Sequence, residues 1–183
     1  MGMDVYNGSG VIATTEQMID LLKNPDKEEQ ANIVFTLLQE VAATDFEEDE
    51  DTFKPLNDLA DKMAEEEEKP DFKVPAFSEF EKALKACIVI SDSYEEKELE
   101  GSFMLSQLWN CFLETARPDL PALEEARMFD KGGRLEGFDV PKGVPCFIFG
   151  SDDCFEKKLS KKGKALKEAI GHCEESEWTS VSY

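Results

Sequence analysis

Ser102-Phe103-Met104-Leu105-Ser106-Gln107-Leu108-Trp109-Asn110-Cys111-Phe112-Leu113-Glu114-Thr115-Ala116 is the stretch that decides the fold class of this 183-residue chain. Leu105, Leu108, Trp109, Phe112, Leu113 and Ala116 recur at i, i+3, i+4, i+7, i+8 and i+11, the one-sided stripe of an amphipathic helix, and Pro118 ends it. A stripe this apolar has to be covered, so the helix is expected at the centre of the molecule. Upstream, Phe77, Phe80, Leu84, Cys87 and Ile88 repeat at the same spacing behind Ser78 and Glu81, which read as a capping box. Ile33, Leu37 and Val41, flanked by Val34 and Leu38, mark another core helix, with Asn24 as N-cap and Pro25 at its first position. Thr14 with Gln17 forms a further capping box, opening a helix to about Lys23.

Strands are fewer. Val144-Pro145-Cys146-Phe147-Ile148-Phe149 is a short apolar run bounded by turn residues and reads as a buried strand. Asp4-Val5-Tyr6 and Val11-Ile12 flank Asn7-Gly8-Ser9-Gly10, a pattern that predicts a strand and turn, which a short hairpin would close. Pro121 to Phe129 reads as a short helix stopped by Gly132-Gly133, and Ser151 as the cap of a helix running through Ile170. In that last helix Phe155, Leu159, Gly163, Leu166 and Ile170 share a face, and glycine there implies close approach of another backbone. Thr179, Val181 and Tyr183 alternate in the tail, enough only for an edge strand. The expected architecture is α+β: a mainly helical single domain over residues 1–183, packed around a small β-sheet.

Charge is the strongest departure from the globular norm. Lys and Arg number 20 against 41 Asp and Glu, a formal charge of −21, yet 41% of residues are hydrophobic, too many for a wholly disordered acidic chain. Such a chain is repelled by nucleic acid and by anionic membrane surfaces. No basic n-region with an apolar core opens the sequence, and the longest uncharged run, Gly101 to Leu113, is far short of the ~20 apolar residues that span a bilayer. The five cysteines form no C-x-x-C pair, which fits a reducing cytoplasm better than a disulfide scaffold.

Between Asp45 and Asp71 stand 13 acidic residues and three lysines, with the runs Glu47-Glu48-Asp49-Glu50-Asp51 and Glu65-Glu66-Glu67-Glu68 on either side of Leu56, Leu59, Ala60 and Met63. The middle of this segment 45–71 is expected to be an amphipathic helix, and its acidic ends solvated and mobile because neighbouring like charges repel. Residues 174–183 are expected to form a polar tail.

Motifs that carry chemistry are scarce. Gly8-Ser9-Gly10-Val11-Ile12-Ala13 matches G-x-G-x-x-A, but the acidic strand end that a dinucleotide site needs about 20 residues later is replaced by Asn24-Pro25 and a helix. Asp45, Glu47, Asp49 and Asp51 alternate as calcium-loop ligands do, whereas Glu50 and Leu56 stand where the loop requires Gly and a bidentate Glu. His172 is the only histidine, so no site needing two imidazoles exists, and its neighbour Cys173 points elsewhere. Cys87, Cys111 and Cys146 lie in apolar stripes as small core residues. Glu156 to Glu168 carries +4, a lysine face running from Lys157 to Lys167 that is free to meet the acidic segment or an anion. No catalytic residue, cofactor or metal site is assigned. The function expected is a non-catalytic cytoplasmic protein whose Glu47 to Asp51 and Glu65 to Glu68 bind the Lys/Arg-rich surface of a partner protein, in its sharp form an inhibitor that mimics nucleic-acid phosphates. The alternative is a small-molecule binder or enzyme with a pocket near the glycine turn at 7–14 and the strand end at 144–150.

Overall fold

A computed structural model describes residues 4–91, 99–128, 134–136, 145–150, 154, 158–171 and 176–182. In chain order the elements are β1 (Asp4–Thr14), α1 (Thr15–Leu21), α2 (Lys27–Ala43), α3 (Glu50–Glu66), α4 (Phe77–Ala86), α5 (Ser102–Ala116), β2 (Leu123–Met128), β3 (Arg134–Glu136), β4 (Pro145–Gly150), α6 (Lys161–Ile170) and β5 (Ser176–Ser182). The five strands form one sheet in the order β2-β4-β1-β5-β3, with every neighbouring pair antiparallel. The mainly helical α+β expectation is therefore met. Among the described residues no helix is long and apolar enough to cross a membrane.

The expected glycine turn at 7–10 does not form. Asp4 to Thr14 is a single strand: its first half pairs with β5, Val5 opposite Val181, and its second half pairs with β4, Ile12 opposite Ile148. Gly10 faces Gly150 on one side and Ser176 on the other, so β1 passes from one neighbour to the next at that residue. A hairpin would require the two halves to pair with each other. Each instead finds a partner more than a hundred residues away, which no local pattern reveals. The tail is likewise no edge: β5 lies between β1 and β3, with Trp178 opposite both Gly8 and Leu135.

Pro121 to Phe129, expected as a helix, contains β2. The register breaks between Leu123, opposite Phe149, and Glu125, opposite Ile148, so Glu124 is an extra residue. That bulge places Leu123 and Ala126, both buried, on one face at a separation of three. The spacing imitates the i, i+3 step of a helix, which is why periodicity misreads it.

Other boundaries move for local reasons. Thr14 and Gln17 form the expected box, Thr14 N–H donating to Gln17 Oε1 at 2.9 Å and Gln17 N–H to Thr14 Oγ1 at 3.3 Å. The cap of α2 is Asp26, which accepts from Glu29 N–H at 2.9 Å, while Asn24 braces the turn before it by accepting from Asp26 N–H at 2.9 Å. α4 starts at Phe77 rather than after Ser78, because Glu79 accepts from Ala76 N–H at 3.0 Å and Glu81 is held by Lys85 at 2.9 Å. The helix expected from Ser151 begins only at Lys161, capped by Ser160, whose Oγ accepts from Gly163 N–H at 3.0 Å. Gly163 does permit close approach: a Cβ there would overlap the carbonyl oxygen of Cys154, which itself accepts from Ser160 N–H at 2.9 Å. Phe155 and Lys157 lie outside the described residues.

The centre of the molecule is α5. Trp109 is fully buried, edge-on to Phe147 of β4 at 5.4 Å and to Phe112 at 6.0 Å, and Phe112 meets Phe80 of α4 at 5.5 Å. This aromatic chain joins helices to sheet. Among the described residues the indole N–H of Trp109 meets no acceptor, and the ring is held by packing. α5 also seals the sheet's outer strand. Asn110 donates from Nδ2 to Leu123 O at 3.0 Å and accepts from Leu123 N–H at 2.7 Å, and Ser106 Oγ accepts from Ala126 N–H at 2.8 Å. Three backbone groups of β2 outside its ladder with β4 are thereby satisfied, and this part of the edge is covered against strand addition.

Asn110→Ala strips both partners from Leu123 and should cost about 1–3 kcal/mol in urea unfolding, below the roughly 3–5 kcal/mol expected for Trp109→Ala. Gln107→Ala, on the exposed side of α5, should stay within about 0.5 kcal/mol of wild type. Equal losses at Gln107 and Asn110 would show that the β2 edge does not depend on this side chain.

Candidate interaction surface

α3 carries the acidic segment. Phe53, Leu56, Ala60 and Met63 are buried at alternating steps of three and four, and Asp51, Lys54, Asp58, Asp61 and Glu65 are exposed on the opposite side. The segment is thus an amphipathic helix, as expected. It is also part of the main core: Phe46, itself buried, stacks on Phe53 at 4.8 Å, and α3 packs against α2 and α4. The run Glu47 to Asp51 is held between those two aromatics. Asp45 accepts from Glu47 N–H at 3.1 Å, Asp49 N–H donates to Phe46 O at 2.7 Å, and the helix begins at Glu50. Glu47, Glu48, Glu50 and Asp51 are exposed and Asp49 is half-buried, and among the described residues no lysine or arginine pairs with any of the five.

Glu65, Glu67 and Glu68 are exposed at the other end, and Glu66 is within 3.7 Å of Lys69. The helix of 17 residues holds the two runs about 24 Å apart. They make two poles of one ridge, with Asp58 and Asp61 between them, and not a single cluster. Carboxylates at the first turn are favoured by the helix dipole; those at the last turn are opposed by it, by about 0.3–1 kcal/mol each at low salt. Helix stability therefore does not account for Glu65 to Glu68.

Two residues absent from the sequence-derived set adjoin the first pole. Thr52 Oγ1 donates to Glu100 Oε2 at 3.4 Å, placing Glu100 beside the first turn of α3. Gly101, at φ 59°, caps α5 and lies against the same turn: a Cβ on it would be 2.8 Å from the Phe53 ring and 3.3 Å from Asp49 Cγ. Phe103 follows, and it is 73% exposed. The apolar stripe of α5 begins only at Leu105, and Phe103 falls off it, which was the available signal.

The remaining candidates separate. Among the described residues no three His, Cys, Asp or Glu side chains converge as a metal site requires, and Asp45 and Asp49 are engaged with the turn before α3. Gly8 and Gly10 are strand residues, so the G-x-G-x-x-A segment offers no helix-terminal phosphate cradle; it adjoins the 145–150 strand by pairing, not as a turn beside a pocket. Lys158, Lys161, Lys162, Lys164 and Lys167 are exposed, α6 packs against α1, and no ion pair joins these lysines to the acidic segment among the described residues. Arg117 is committed to Asp119 through two bonds of 3.0 and 2.9 Å, which hold the Asp119 carboxyl below its ordinary range. A groove of about 200 Å³ between α2 and the 74–77 segment, lined by Lys27, Gln30, Val34 and Phe77 among others, is smaller than the roughly 300 Å³ at which ligand pockets begin. Its Gln30 amide is already bonded to Asn24 N–H and Leu22 O.

Cysteine chemistry is suppressed by burial. Desolvation pushes the Cys87 and Cys146 thiols up to about 11, and Cys87 Sγ is spent on Ala83 O at 3.2 Å. Cys111 is half-buried, and desolvation with the nearby Glu40 and Glu114 carboxylates raises its thiol too. His172 and Cys173 lie outside the described residues.

Comparison with protein-family models, with curated proteins and with solved structures returns no significant match to this chain.

In a Cys173→Ser background, one of the four remaining thiols, Cys111, should react with a disulfide reagent at pH 8 in the native protein, slowly, and all four after unfolding. A raised thiol holds its proton until pH passes its higher folded value, so labelling should accelerate above pH 9. Rapid native labelling of Cys87 or Cys146 would contradict their burial.

Proposed function

We propose that this protein is a non-catalytic cytoplasmic interaction protein that sets the α3 ridge against a Lys/Arg-rich surface of a partner protein, occupying ground that nucleic-acid phosphates would otherwise hold. The observation that carries this reading is the fixed position of the charge. The inner face of α3 is locked into the core by Phe53, Leu56, Ala60 and Met63, and its carboxylates therefore project as a set from a rigid element. Between Glu47 and Glu68 lie eleven acidic residues and two lysines, one net charge per ~3.7 Å at the rise of a helix against one per ~1.7 Å of duplex DNA. That density is a little under half that of the polymer it would replace. Lys54 is paired with Asp58, so the ridge keeps few free cations to blunt it.

Electrostatic complementarity of this kind speeds association and sets specificity more than it adds affinity. Bases and grooves are not reproduced by a helix, so the partner would be one that reads phosphates, through Lys and Arg, rather than sequence.

Replacing Glu47, Glu48, Asp49, Glu50 and Asp51 by Gln or Asn removes five charges and leaves the core-facing residues intact. A basic partner captured by the wild-type protein at about 0.1 M salt, where the Debye length is ~10 Å, should be lost from the variant, released at several tenths molar, and competed by duplex DNA or RNA. A partner whose affinity ignores the replacement, salt and nucleic acid alike would overturn the proposal.

A further inference from the structure

We draw no further inference here: the strongest candidate, the groove between α2 and the 74–77 segment with Ala31, Val34, Val74, Pro75 and Phe77 in its walls, carries none because nothing in the structure shows what covers it.

Discussion

The edge-on packing of Trp109 against Phe147 and Phe112 is the contact on which the rest of the structure turns. Through it α5 is held to the sheet, and α5 in turn places the helices beside it: Phe112 reaches Phe80 on α4, α2 packs along its side, and Gly101 lies against α3. The same helix closes the β2 edge with Asn110 and Ser106. One element thus fills the core and removes the strand edge that would otherwise recruit other chains. The Trp109 N–H, buried without an acceptor, forgoes a hydrogen bond to keep that geometry, a loss of roughly 1–3 kcal/mol that the apolar burial around it exceeds.

A core organised in this way lets the surface carry charge that local chemistry does not reward. The exposed ion pairs Lys23–Asp20, Lys54–Asp58 and Lys85–Glu16 contribute little, about 0–1 kcal/mol each, and cannot balance a formal charge of −21. Repulsion along α3 is borne by Phe53, Leu56, Ala60 and Met63, whose burial fixes the helix whatever its outer face repels. The structure also keeps opposite charges apart. α6 lies against α1, and among the described residues its lysines form no pair with the acidic segment, whose ion pairs are the local Lys54–Asp58 and Lys69–Glu66.

Much of this was legible in the residues. The stripes of α2, α4 and α5, the Thr14–Gln17 box, the buried run at 145–149 and the need for glycine at 163 all follow from periods of 3.6 and 2 and from local capping, because each depends on residues within a few positions of one another. The outward face of the acidic helix followed too, since burying unpaired carboxylates costs several kcal/mol in any fold.

What only the tertiary structure decided concerns partners distant in sequence. Asp4 to Thr14 became one central strand, and Ser176 to Ser182 an interior one, because β4 and β5 pair with the two halves of β1 from across the chain. Leu123 to Met128 became a strand because it pairs with β4, and its bulge disguised the strand period in the sequence. The placing of Glu100 beside the first turn of α3 depended on how the start of α5 meets that helix, with Gly101 against Phe53 and the Thr52 hydroxyl on Glu100. Local sequence determines which face of an element is apolar; which surface then lies beside which is settled by packing between elements, whose energy has no local signature.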